Sequence, residues 1–163
     1  RLERYCHAIG RTLGLSAKEM DELSLLALLH DIGKVGVNPN ILKKPGPLTP
    51  AEWDEMKRHP EIGYRIAQAT PELAAVAELI LTHHERWDGE GYPRKLKGEE
   101  IPLACRILSA VDAYDAMTND RAYRRAMTVG QAVEELERNA GKQFDPRTAG
   151  LLVEMIKEEN KLA

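Results

Sequence analysis

HHERWDGEGYP, His83 to Pro93, is the stretch on which the reading of this chain turns. Together with His30-Asp31 far upstream it gives two pairs of adjacent metal-ligand residues, and the second pair opens a loop rich in Arg, Asp and Gly. Four of the five histidines (His30, His59, His83 and His84) fall in segments that also carry Asp31, Lys34 and Arg86. Imidazole and carboxylate ligands suit Fe, Mn and Zn, and two metals bridged by a carboxylate suit phosphodiester hydrolysis.

Outward from that stretch, nearly everything reads as helix. Leu2, Tyr5, Cys6, Ile9 and Leu13 form an apolar stripe at helical spacing, closed by Gly14. Ser16 and Glu19 make a capping box for a helix that delivers His30 and Asp31 at its C-terminal end. Ile32 to Pro47, punctuated by Gly and Pro, reads as loop with short helical turns. Thr49-Pro50-Ala51-Glu52 starts a helix that runs to about Arg58, and Pro60 begins the next just after His59. A single helix is predicted from Pro71 through Leu73, Val76, Leu79 and Ile80 to His83-His84. Arg86 to Ile101 is a long surface loop, and loops of that length are usually functional. Pro102 opens a helix that carries Asp112 and Asp115, Thr128 with Gln131 caps another, and Asp145-Pro146 caps the last. No segment alternates like a strand, so the expected fold is all-α, about seven helices around one core.

A chain of 163 residues allows one domain, and 43% hydrophobic with 30% charged residues is a globular composition. No apolar run approaches a membrane span and no signal-peptide pattern is present, so a cytoplasmic location is expected. A net charge of -3 gives no sign of a general nucleic-acid binder, and no DNA partner is expected. Cys6 and Cys105 are too few for a disulfide framework or a thiolate site and read as buried apolar residues.

Neighbouring helical residues point about 100° apart, so His30-Asp31 and His83-His84 fit two metals with one shared ligand better than a single ideal site. Asp112, between Val111 and Ala113 on an apolar face, must be paired or metal-bound, because a bare buried carboxylate is costly. His59 lies at a helix junction that can aim it inward. Each feature alone also fits a satisfied core residue; the two pairs ending apolar helices before Gly-containing loops carry the metal reading. Lys34, three residues beyond Asp31, is either a cation aimed at a phosphate or an ordinary solvated lysine. Arg121, Arg124 and Arg125 are either phosphate forks or a charged surface turn.

These residues sit in longer strings that resemble one family: HDIGKVGV (30–37), ILKKPGPLTPAEWDEMKRHPEIGYRI (41–66), HHERWDGEGYP (83–93), LKGEEIPLACRILSAVDAYDAMTNDRAYR (96–124) and QFDP (143–146). The chain resembles the HD-GYP domain, a subgroup of the HD metal-dependent phosphohydrolases, over residues 1–163. The resemblance implies an all-α HD-domain bundle with a GYP loop that hydrolyses cyclic di-GMP to pGpG, GMP or both by metal-activated water. It implies a di- or trinuclear centre of iron or manganese held by His30, Asp31, His59, His83, His84 and Asp112, with Asp31 bridging. Asp31 and Lys34 are then catalytic, and Lys34, Arg121, Arg124, Tyr92 and Pro93 meet the substrate. It further implies a protein partner on the GYP loop, a sensor or receiver domain upstream, and a protein able to form a homodimer.

One departure stands out. The family carries a further metal His in an H-x-x-R segment; here Arg1 matches the Arg, so the His is expected just before residue 1, and His7 lies two turns too late to replace it. A missing ligand keeps open a non-catalytic module that senses cyclic di-GMP or docks a partner.

Overall fold

The computed structural model describes residues 1–121 and 123–162, and among them it contains helices and turns but no strand. The order is α1 (Leu2–Thr12), α2 (Ala17–Leu29), a 3-10 turn (Ile32–Gly36), α3 (Pro39–Leu42), α4 (Pro50–Met56), α5 (His59–Gln68), a 3-10 segment (Pro71–Val76), α6 (Ala77–Thr82), a 3-10 turn (Gly98–Glu100), α7 (Leu103–Thr118), α8 (Val129–Asn139) and α9 (Pro146–Lys161). The all-α expectation holds. The helix starts lie where the caps put them: Ser16, Thr49 and Thr128 each close a reciprocal capping box with Glu19, Glu52 and Gln131.

One segment differs from expectation. Residues 71–82 are not one helix but a 3-10 segment followed by the short α6. Leu73, Val76 and Leu79 recur every three residues, which fits a 3-10 period as well as an α stripe. The break at Val76 buries that side chain fully and lets Ile80 and Leu81 face the core. The segment 32–47 carries the short helical turns expected of it: the 3-10 turn Ile32–Gly36, and α3, where Asn38 caps Asn40 N–H and Pro39 starts four helical residues.

α7 is the hub. It packs against α1 and α2 on one side and α8 and α9 on the other, while α5 pairs with α6 and with the 3-10 turn after α2. Ile107, Leu108 and Val111 of α7 are buried with Ile9, Leu23, Leu26, Ile80, Leu136, Leu152 and Ile156. Each such side chain contributes roughly 1.5–3 kcal/mol by leaving water. Cys6 and Cys105 are free thiols in this core, both pushed up to about 12 by burial.

One close approach sets up the site. The turn after α2 meets α5 backbone to backbone at Gly33 and Gly63. A Cβ on Gly33 would lie 2.6 Å from the Gly63 nitrogen and closer still to the His59 carbonyl oxygen; one on Gly63 would lie 2.8 Å from Ile80 Cγ2. Only residues without a Cβ allow this spacing, and it brings Asp31 against His59.

Candidate metal centre

Asp31 is the centre of the arrangement. Its Oδ1 faces His59 Nε2 at 3.3 Å and His83 Nε2 at 3.9 Å. Its Oδ2 faces His30 Nε2 at 3.4 Å and Lys34 Nζ at 2.9 Å. Asp112 of α7 closes the second side, with Oδ1 3.8 Å from His30 Nε2. Asp31, His59, His83 and His84 each offer a ligand atom within 4.8 Å of all the others. His30 faces the other carboxylate oxygen, Oδ2, and Asp112 lies beside His30, so the six predicted ligands converge around one aspartate.

The helix ends explain the aim of these rings. α2 stops at Leu29 and α6 at Thr82, so each pair sits where the backbone leaves the helix. The 100° offset expected for helical neighbours therefore does not apply to His83 and His84, whose ring centroids are 4.1 Å apart on one side of Asp31. Three histidines are also anchored from behind. Nδ1 lies 3.0 Å from the Ala27 carbonyl oxygen in His30, 2.7 Å from that of Met56 in His59, and 2.6 Å from that of Ile80 in His83. A ring that donates Nδ1–H to a backbone carbonyl keeps its Nε2 lone pair for the site, the usual orientation of a metal-binding histidine.

Electrostatics favours a cation here. His83 and His84 are pushed down to about 3 and about 2, by burial first and by neighbouring histidines second, so both are neutral ligands near pH 7. Burial alone would raise the Asp31 carboxyl; hydrogen bonding with His59 and the charges of His30 and Lys34 outweigh it and hold the group well below the usual carboxylate range. Burial raises Asp112. His83 Nε2 is buried and has no hydrogen-bond partner, and His84 Nε2 lies 3.1 Å from His59 Nε2. Lone pairs this close repel unless a proton or a metal ion sits among them. A hard or borderline divalent cation matches this nitrogen and oxygen donor set. The residues present therefore fit a metal.

A cleft of about 540 Å³ opens over the centre, within the range of small-ligand sites. Of the residues expected to meet substrate, Lys34, Tyr92 and Arg121 line it, as do Asp31, His59, His84 and Asp112. Tyr92 stacks on His84, with centroids 5.1 Å and planes 18° apart. Arg124 is not in the lining; its guanidinium donates to the Ala116 carbonyl, and its backbone pairs with that of Arg121. Pro93, joined to Tyr92 by a cis peptide bond, faces a separate depression beside Tyr64 and Leu81.

Several contributors escaped the sequence reading. Glu85, inside HHERWDGEGYP, is buried and accepts N–H bonds from Arg94 (2.6 Å) and Leu96 (3.0 Å), folding the loop back beside the histidines. Its partners lie nine and eleven residues on, so no local pattern marks it. Gly91 lies so close to the backbone of His84 and Glu85 that a Cβ would come within 2.6 Å of both. Trp87 and Asp88 donate to the carbonyls of Gln143 and Lys142, which ties the loop to QFDP. Asp145 of that string caps α9 and pairs with Arg106 at 2.8 Å.

The family described as the HD domain matches residues 1–148. A cyclic di-GMP phosphodiesterase of Thermotoga maritima is 43% identical over 152 residues, covering 92% of this chain and 41% of its own length. A 3′3′-cGAMP-specific phosphodiesterase of Vibrio cholerae is 38% identical over 156 residues, covering 94% and 30%. The chain thus spans less than half the length of these relatives. Among solved structures, an HDGYP protein of Bdellovibrio bacteriovorus superimposes with a TM-score of 0.76 at 22% identity, over 96% of this chain and 50% of the other. A cyclic GMP-AMP-specific phosphodiesterase of Vibrio cholerae gives 0.73 at 22%, over 99% and 44%. At that identity the likeness is one of fold.

Proposed function

This chain belongs to the HD-domain family, in its HD-GYP branch, and we propose from that premise that it forms the catalytic domain of a metal-dependent phosphodiesterase acting on a cyclic dinucleotide, cyclic di-GMP first. The observation that carries this is the Asp31 carboxylate set between His59, His83 and His84 on one side and His30 and Asp112 on the other. Those six side chains would hold two ions; the nitrogen and oxygen donors suit iron, manganese or zinc, and the resemblance to the HD-GYP family favours iron or manganese. Bound there, the metal supplies Lewis acidity, which offsets phosphate charge and makes water a better nucleophile at neutral pH.

The chain's own groups do the rest. Asp31 fixes the spacing of the two halves by offering one oxygen to each. Lys34 Nζ, held at 2.9 Å by Asp31 Oδ2 on the cleft wall, meets a non-bridging phosphate oxygen and is placed to return a proton to the leaving oxygen. Tyr92 covers His84 and keeps bulk water from that ring; its phenol, pushed up to about 12 by burial and by the charge of Asp31, stays protonated and can donate a hydrogen bond. Arg121 sits across the cleft, where a guanidinium can take the phosphate that is not being cut.

The direct test is hydrolysis by protein loaded anaerobically with Fe(II) or with Mn(II), products separated by chromatography. Cyclic di-GMP should be opened to pGpG or GMP. Relatives bearing the name of 3′3′-cGAMP-specific phosphodiesterases make that dinucleotide the second substrate to assay. Binding without turnover in the loaded protein would favour a sensing module instead.

Arg121 gives a sharper expectation. A contact to the remote phosphate should act mainly through binding. Arg121→Ala is expected to raise KM for cyclic di-GMP about tenfold, the loss of one charge-assisted contact. Hydrolysis of the small diester methyl p-nitrophenyl phosphate should stay nearly unchanged. Equal losses on both would place Arg121 in support of the metal centre.

A further inference from the structure

The chain has eight aromatic residues, and six of them are buried or half-buried: Tyr5, Tyr114 and Phe144 in the core, Tyr64, Trp87 and Tyr92 against neighbouring elements. The remaining two, Trp53 and Tyr123, are 48% and 60% exposed. Both line the cleft over the Asp31 centre. They come from unrelated parts of the chain. Trp53 stands on α4, a helix that buries none of its residues, and Tyr123 stands in the turn between Arg121 and Arg124. Neither is needed for packing, yet both are large, apolar and turned toward the same volume.

We propose that Trp53 and Tyr123 are the base-binding residues of this cleft, each offering a ring face to one nucleobase of the cyclic dinucleotide. The inference rests on the phosphodiesterase reading and adds to it a source of binding energy that neither metals nor cations supply. Lys34 and Arg121 account for phosphate charge, but phosphate contacts do not distinguish a dinucleotide from any other diester. Aromatic faces do, because every base has a π surface and stacking on Trp or Tyr tolerates differences in base identity. That tolerance suits a cleft whose relatives take cyclic di-GMP in some cases and a guanine-adenine dinucleotide in others. The elements beside these rings match the role. α4 is pinned by the Thr49–Glu52 capping box and by Lys44, whose Nζ lies 2.7 Å from Glu52 Oε2, so Trp53 is carried on a fixed support. The turn holding Tyr123 is closed by paired backbone bonds between Arg121 and Arg124, at 2.9 and 3.1 Å.

The test compares two substrates in the metal-loaded protein. Trp53→Ala and Tyr123→Ala should each raise KM for cyclic di-GMP about tenfold, equivalent to about 1.4 kcal/mol for one lost stack. Trp53→Phe and Tyr123→Phe should restore KM to within about threefold, since the ring face is kept. Hydrolysis of base-free methyl p-nitrophenyl phosphate should be unaffected in all four. Unchanged KM for cyclic di-GMP in both alanine variants overturns the proposal. Equal losses on the two substrates also overturn it, by assigning the rings a structural role. Binding is read independently in a Trp87→Phe background, where Trp53 is the sole tryptophan. Its fluorescence should be quenched by cyclic di-GMP and not by dimethyl phosphate. If the wild type hydrolyses no cyclic dinucleotide, the phosphodiesterase reading falls, and the quenching still decides the base contact: quenching upholds it and its absence overturns it.

Discussion

Asp31→Ala is expected to abolish hydrolysis of cyclic di-GMP and to strip metal from the protein while the helical far-UV spectrum is kept. The carboxylate serves both halves of the centre, with Oδ1 toward His59 and His83 and Oδ2 toward His30 and Lys34. In the proposed centre its loss would remove a ligand from each half at once. Outer-shell changes at metal sites already cost roughly 10–100-fold in affinity, so removal of a shared ligand should exceed that range. The fold should survive, because Asp31 lies outside the buried core cluster and caps no helix with its side chain. Metal analysis of the purified variant beside the wild type, with a dinucleotide assay on the same samples, checks both halves of the expectation. Full metal loading with normal turnover would remove Asp31 from the centre.

Gly33→Ala should produce the largest loss of stability. The three nearest atoms a Cβ would meet are all backbone: the Gly63 nitrogen at 2.6 Å, the His59 carbonyl carbon at 2.8 Å and the still closer His59 carbonyl oxygen. None can rotate aside as a side-chain tip would, so the turn after α2 must move away from α5. Overpacking of this kind costs about 3 kcal/mol, a fall in Tm of roughly 6–12 °C for a domain of this size. The same movement separates Asp31 from His59, so metal affinity should fall with stability. Gly150→Ala supplies the contrast. Gly150 is exposed within α9 and a Cβ there meets nothing within 4 Å. That change should stabilise by about 0.5–1 kcal/mol, because alanine favours the helix. Thermal melts of both variants test the pair; a Gly33→Ala protein as stable as the wild type would mean that the turn and α5 are not held at this spacing.

What the sequence revealed follows the range of each signal. Ser16 with Glu19, Thr49 with Glu52 and Thr128 with Gln131 act over three residues, and their helices start where those caps predict. The metal-type residues were legible because their side-chain chemistry is unusual wherever it falls, and the structure brings His30, Asp31, His59, His83, His84 and Asp112 together. Periodicity failed where it is ambiguous: the three-residue spacing of Leu73, Val76 and Leu79 fits two helix types, and the burial of Val76 decides between them. Long-range contacts were not legible at all. Glu85 carries no local signal, because its partners, the N–H groups of Arg94 and Leu96, are brought back only by the folded loop. Nothing in the segments of Trp53 and Tyr123 says that both remain exposed on one cleft. Arg121 and Arg124, three residues apart, look equivalent in sequence, yet the turn sends only Arg121 into the cleft lining.

The central claim is that one aspartate joins two metal positions. It is tested most directly by anomalous X-ray diffraction at the iron or manganese edge, from crystals of protein loaded without oxygen. Two anomalous peaks are predicted, one on the Oδ1 side of Asp31 among His59, His83 and His84, the other on the Oδ2 side with His30 and Asp112. No peak in the cleft, or peaks bound by residues other than these six, would contradict it.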